Sequence, residues 1–438
     1  MRLPLSLAFA FVASPVAAQQ VLWVDPLLGS NGNPGTFQAP LQTITAAVAV
    51  AGPAAQIHLL PGTYGPTSNG EVLPITLGQI PQAGLVLRGI GDVTLDLATS
   101  AATAFRLANG ADGCRLTNLT ITNSDRTGWW TRAISSGTGT GSGNAATGVE
   151  IDRCRFTHLN RGLVLWAADN VQGWRVHDNL FDDCANDAIL EYAGNNEFTN
   201  NTFVTGAWKA YISDSPTSLC ANNLVVAYNI AFEVNSTAGS TARFQHNWTW
   251  QCTTVASGAG LAGGLPASHV DGVNPQLVNQ AGGDYHPQPT SPLLEAGTPA
   301  VFTRADLDGV ARLVDSDANG SLLPDVGCYE HTPVTLSAAW LTPNQVLSIG
   351  LASTVANTFG FVFFAFDDGL IQIPGWGPIL LDPLTAQGFY LAGLLPQQWF
   401  LVFTGVAVPP GTRLVMHGLS LVPGTPHVVG SNQVWFQL

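Results

Sequence analysis

The chain reads as an all-β protein: a stack of short-strand repeats forming a parallel β-helix, a small capping helix before it, and a β-sandwich after it. Three observations predict this. Asparagines recur at a nearly fixed period in mid-chain, an N-terminal stretch alternates strand, turn and short helix signals, and the composition changes after residue 332. Gly (47) and Pro (28) supply turns enough to divide most of the chain into strand-length pieces.

The repeats come first. Asn179-Leu-Phe181, Asn201-Thr-Phe203, Asn223-Leu-Val225 and Asn247-Trp-Thr249 are spaced by 22, 22 and 24 residues. Half a period away runs a second register: Arg161-Gly-Leu, Asp187-Ala-Ile, Lys209-Ala-Tyr211 and Ile230-Ala-Phe232. Each repeat therefore offers two short β-type runs, which cannot bury an apolar face alone and must stack on copies of themselves. Asn tolerates left-handed backbone at turns, and stacked amides can bond along the axis. The L-x-x-L-x-L pattern of leucine-rich repeats is absent. This pattern resembles the right-handed parallel β-helix (pectin-lyase-like) superfamily, a resemblance that implies fold more than activity.

The flanks carry the same resemblance. Trp23-Val-Asp25-Pro26, Gly35-Thr36, Pro40, Thr43-Ile44, and Pro61-Gly62-Thr63-Tyr64 are similar to the module that opens many secreted bacterial β-helix proteins. Physically it is a strand, a glycine-rich loop, a helix starting near Thr43, and a strand ending in a Pro-Gly turn. The helix would cover the open end of the stack. Asp325-Val-Gly327-Cys-Tyr329-Glu330 resembles the Asp-x-Gly-x-Tyr-Glu run that closes such proteins, and implies a seal for the far end.

Domain boundaries follow. Residues 1–18 hold Arg2, an apolar run and small residues at Val16 and Ala18, the pattern of a signal peptide cut near Ala18, so a secreted or cell-surface protein is expected. The β-helix is expected over 19–332: a cap at about 21–66, coils at about 72–290 and the closing segment at 291–331. Residues 333–438 contain only Asp367, Asp368, Asp382 and Arg413 as charges and read as the sandwich. An oxidising compartment would permit disulfides among the six cysteines, with 15 pairings open. The net charge of -14 with a single lysine argues against nucleic acid, and no stretch suits membrane insertion. Oligomeric state is not legible.

Candidate chemistry gathers in the coils. The registers place Arg161, Asp187 and Lys209 one above another, about 5 Å apart if the coils stack. Glu191 and Tyr211 fall in the same coils, and Trp208 adjoins Lys209; Trp129-Trp130 border a Gly/Ser-rich insertion and, like Trp208, suit a sugar ring. Family members that cleave acidic polysaccharides use carboxylates, often calcium, and an Arg or Lys base. Two readings stay open. Either the protein binds polysaccharide or a cell-surface glycan without catalysis, its charges forming an ordinary ion ladder, or it is a lyase or glycosidase working in a groove near Lys209, with Arg161, Asp187, Glu191 and Tyr211. There is no G-x-S-x-G elbow and no H-x-x-x-H pair. Asp315-Ser-Asp317-Ala-Asn319-Gly320 resembles the opening of a calcium loop, with Asp325 as the nearest further acid; Val326 stands where such a loop carries glutamate. A structural calcium held by Asp315, Asp317, Asn319 and Asp325 is therefore an expectation.

Overall fold

The computed structural model describes residues 19–437, apart from 99–102, 126–129, 138–144, 167–170, 216, 237–240, 302–303, 314–320, 342–345, 354–357, 366–370, 374–376, 380–386, 403–412 and 422–427. The proposed signal segment 1–18 thus lies outside the described residues, as do Trp129, Asp315, Asp317 and Asn319.

A three-faced parallel β-helix occupies the first two thirds of the chain. Face one is a ladder of nine strands from Val21–Val24 to Phe244–Gln245. Face two runs from Gly62–Tyr64 to Val270–Asp271, and face three from Ile75–Leu77 to Thr254–Ser257. Two strands, Arg155–Leu165 and Leu180–Glu191, pass through the corner between faces two and three and fuse those ladders into one sheet. Each central coil therefore contributes to three ladders where the sequence suggests two. Face one was missed because its central strands, such as Arg175–His177 and Glu197–Thr199, are three residues long and carry polar or charged residues.

The predicted asparagine column is present at the corner between faces one and two. Asn179, Asn201, Asn223 and Asn247 are fully buried. Each Nδ2 donates to the Oδ1 one coil on, at 3.0, 3.1 and 2.9 Å for the three steps. Each Nδ2 also donates to a backbone carbonyl of the preceding coil, as Asn201 does to Val176 O at 2.8 Å. Each Oδ1 accepts a backbone N–H from the coil before, such as Asn179 N to Asn201 Oδ1 at 3.1 Å. The left-handed conformation falls not on these asparagines but on the residue before each: Asp178, Asn200, Asn222 and His246, with φ of 51 to 57°. A second left-handed column, His158, Asp183, Thr205, Ala227 and Gln251, turns the chain into face three.

Inside, side chains stack coil upon coil. Phe156, Phe181 and Phe203 lie ring over ring at 4.7 and 4.8 Å. Gly206 is required where it stands: a Cβ there would meet the ring of buried Tyr228 at 2.0 Å. The six cysteines are free thiols, each in a different coil or on the segment that follows the coils. The helix Ile44–Val50 closes the N-terminal end as expected, burying Ile44, Ala47 and Val48, with Thr43 Oγ1 accepting from Ala46 N at 3.2 Å. Buried Glu71 receives the N–H groups of Ile44 (2.6 Å) and Thr45 (2.9 Å), satisfying first-turn donors with a carboxylate where the helix dipole favours one. At the other end the turn Ala259–Leu261 packs Leu261 and Leu265 onto the core.

The closing segment is not an end seal. After the hairpin of Leu277–Asn279 and Asp284–Pro287, the described residues of 291–331 lie along the outer flank of face two as a strap. Leu293, Leu307, Val326 and Tyr329 cover Leu180, Val204, Leu224 and Trp248, outward residues that would otherwise meet water. Backbone groups pin the strap to the asparagine corner: Thr298 N donates to Asn222 Oδ1 (2.8 Å) and Cys328 N to Thr202 Oγ1 (2.9 Å). Buried Arg312 clamps it, giving Nη2 to Asp178 Oδ1 (2.6 Å) in the coils and Nη1 to Glu330 Oε2 (2.9 Å) within the strap. His177 continues the network to Asp178 at 2.6 Å.

Beyond residue 333, Val334–Leu341, Val346–Ser353 and Gln397–Val402 form one antiparallel sheet. Gln387–Leu394, Phe359–Ala365, Arg413–Leu421 and Val428–Gln437 form another. Leu351 of the first sheet reaches Gly360 and Gly418 of the second, where the missing side chains let the sheets approach, as in a sandwich.

Two predictions follow from these contacts. Asn201→Ala removes one rung and strands donors on Asn179; it should lower the unfolding free energy by about 2–4 kcal/mol in urea denaturation. The strap should loosen as pH rises. Burial holds the Asp306, Asp325 and Glu330 carboxyls above the usual range, with neighbouring carboxylates adding to it, so their contribution is full below about pH 4 and fades as pH rises. Burial opposes charge on His177, but its bonds to Asp178 and Glu150 outweigh that and bring it to about 9, so its contribution is lost above neutrality. Glu150, kept near 2 against burial by His177 and Arg115, titrates below this window. The melting temperature should fall between pH 5 and 9, and Asp306→Asn should flatten that fall.

Candidate functional site

The candidate site is the outer surface of face three. Its strands Arg132–Ser136, Arg155–Leu165, Leu180–Glu191, Lys209–Ser213 and Ile230–Val234 pair in parallel. The register sets Arg132, Arg161, Asp187 and Lys209 in one row, which includes the three residues the sequence stacks. The strand Leu180–Glu191 carries one extra residue between Cys184 and Asp187, counted against Leu159 and Arg161, a bulge just before this row.

Within the row, charges are matched. Arg161 Nε meets Asp187 Oδ2 at 2.9 Å, with both side chains largely buried. Lys209 Nζ meets Glu233 Oε1 at 2.7 Å. Burial raises the Asp187 carboxyl despite Arg161 beside it. Arg132 differs. Its guanidinium is pulled below its usual value, first by burial and then by Arg161 and Arg106. Its Nε is buried without a hydrogen-bond partner among the described residues. Three guanidinium groups thus crowd a small area whose near carboxylate, Asp187, is already engaged with Arg161.

Aromatic rings border the row on both sides. Trp130 and Trp208 are 51% and 46% exposed at one edge, so each offers a ring face to a ligand. Trp130 lies 4.5 Å from the Arg161 guanidinium carbon, and Trp208 lies 6.0 Å from Lys209 Nζ. At the other edge Trp166 and Tyr192 stack at 5.5 Å, inclined by 15°. Trp166 is anchored by its backbone N–H to Ser136 Oγ (2.8 Å), and Arg132 lies 5.8 Å from its ring.

Other residues grouped with this row by sequence point elsewhere. Glu191 and Tyr211 face the interior, 0% and 1% exposed, and do not line a flank groove. Glu191 is a core carboxylate: it accepts from Tyr211 OH (2.5 Å), Ser213 Oγ (2.9 Å), Ser218 Oγ (2.6 Å) and Asn196 Nδ2 (2.8 Å). Burial raises its carboxyl even so. Simple alternation would put Asp187 and Glu191 on one side, but Ala188 and Ile189 are both buried in the core, so Asp187 stands at the corner where the strand enters face three and Glu191 points inward. Asp325 is buried in the strap, where its oxygens accept from Glu295 N and His331 N at 2.7 Å each. Among the described residues no group of three or more His, Cys, Asp or Glu side chains could hold a metal ion. Sequence reasoning missed Arg106, Arg132, Trp166, Tyr192 and Glu233. The insertion after Ser136 places Arg132 29 residues before Arg161 and hides it from a 22-residue alignment.

Comparison with known proteins agrees with this fold over the same residues. A family model described as Right handed beta helix region matches residues 100–265, which span the central coils. One described as Protein of unknown function (DUF1565) matches residues 27–94, the N-terminal cap and first coils. No curated protein matches the chain. Solved structures that resemble it include a GH136 lacto-N-biosidase from Eubacterium ramulus (TM-score 0.32, 9% identity, 52% of this chain and 56% of that one). The pectate lyase Pel9A gives 0.36 at 13% identity over 73% of this chain and 98% of that one. A rhamnogalacturonan lyase gives 0.30 at 14% over 58% and 65%. The chain thus spans about half the length of the lacto-N-biosidase. The chain carries a right-handed parallel β-helix.

Proposed function

We propose that the protein binds an acidic polysaccharide along the outer surface of face three and does not cleave it. The observation that carries this reading is the crowding of Arg106, Arg132 and Arg161 beside the Trp166–Tyr192 stack. A uronate or sulfate group would supply the anion that Arg132 lacks, and the rings would take the apolar face of a sugar. Trp130 and Trp208 extend the platform across neighbouring coils. A lyase base must be free to take a proton, whereas Arg161 and Lys209 are each committed to a carboxylate. The apolar N-terminal segment supports export, which would bring the protein to extracellular glycans.

Titration calorimetry of the purified chain against polygalacturonate, alginate and a neutral xylan tests this. Uronate polymers should bind, more weakly as salt rises, and the neutral glycan should not. Arg132→Ala and Trp166→Ala should each weaken binding about tenfold, near 1.4 kcal/mol. No new reducing or unsaturated ends should form. Cleavage that Lys209→Ala abolishes would overturn the non-catalytic reading, and equal binding of the neutral glycan would overturn the acidic one.

A further inference from the structure

The charge row on face three carries its own competitor for a bound anion. Among the described residues the Asp187 carboxylate has one hydrogen-bond donor, Arg161 Nε at 2.9 Å. A carboxylate held for structure is served more fully. Asp152 on face one takes two bonds from Arg115 (2.7 and 2.6 Å) and one from Thr117 (3.1 Å). Burial raises the Asp187 carboxyl, and its single bond to Arg161 does not offset that.

Arg161 is where the competition falls. Besides Asp187 it donates only to Asn160 Oδ1 (3.2 Å) among the described residues, so part of its guanidinium fork is open to a second acceptor. The charges around Asp187 come from four further strands. Lys209 on the next strand is paired with Glu233 at 2.7 Å, and Arg132 and Arg106 lie on the two strands before Arg161. The row from Arg132 to Thr254 holds no histidine, and Asp187 is its one carboxylate. His158 and Asp183 face each other at 3.9 Å, at the turn into face three. An anion drawn to Arg132 and Arg161 therefore meets Asp187 about 5 Å away, one coil on. Two negative groups that close, sharing one guanidinium, repel. A proton on Asp187 removes the repulsion and leaves Arg161 to the ligand.

We propose that Asp187 sets the affinity of face three: it competes with the glycan's anion for Arg161, so that binding takes up a proton at Asp187 and tightens as pH falls. The proposal rests on glycan binding at face three. The sign is opposite to that of the ligand's own titration, since a uronate losing its charge would bind less well.

Calorimetry of the full chain with polygalacturonate tests it, between about pH 7.5 and about pH 5, where ordinary carboxylates stay largely ionised. Affinity should rise about fivefold or more over that span. Repeating the titration in buffers of different ionisation enthalpy should show net proton uptake. Asp187→Asn keeps an acceptor for Arg161 without the charge; with circular dichroism unchanged, it should bind about threefold or more tightly than wild type at the upper pH and lose most of the pH dependence. Glu197→Gln removes the same charge from face one and should leave both affinity and pH profile as in wild type, which separates Asp187 from the overall acidity of the chain. Binding that does not change with pH, no proton uptake, an Asp187→Asn variant no tighter than wild type, or a Glu197→Gln variant that behaves like it would each overturn the proposal while leaving the glycan reading in place. No binding at any pH would overturn both.

Discussion

The asparagine column at the corner between faces one and two is the constraint on which the rest depends. Each ladder amide is buried where an unmet donor or acceptor costs about 1–3 kcal/mol, so every member must find the next coil at the same height. That requirement fixes coil length. Between Asn179 and Asn247 the period holds at 22 to 24 residues, and the left-handed residue before each asparagine repeats with it. Where Leu119 and Cys154 occupy the column instead, the coils are irregular and the chain accepts the insertion that follows face three. The phenylalanine stack and the row of charges on face three inherit their alignment from this one column.

Buried charge plays a different part. A buried ion pair is weak evidence of net stabilisation, because desolvation consumes most of the Coulomb gain. What Arg312 supplies is position: one planar group meets Asp178 in the coils and Glu330 in the strap, and no other register of the strap would satisfy both. The apolar residues beneath the strap supply the adhesion. Adhesion and register are thus carried by different side chains.

Legibility from sequence follows the same division. The repeat period, the cap with Thr43 at its helix start and the stacking of Arg161, Asp187 and Lys209 were readable, since each depends on local pattern or fixed spacing. Face one was not, because a three-residue strand such as Arg175–His177 gives no periodicity to detect. The inward turn of Glu191 and Tyr211 is not legible, because consecutive residues are buried just after the row, Ala188 with Ile189 and Ala210 with Tyr211, and spacing alone does not reveal that break in alternation. The run ending in Glu330 was recognisable as a closing motif, but its place on the flank rests on contacts more than 100 residues apart in sequence, such as Cys328 with Thr202.

The central claim is that face three is the glycan-binding surface. Backbone hydrogen exchange of the full chain, with and without saturating polygalacturonate, tests it most directly. The account predicts slowed exchange at 130–136, 160–166, 186–192 and 208–213, with face one and the strap unchanged. Slowing confined to face one or to the strap, with face three unchanged at saturation, would contradict it.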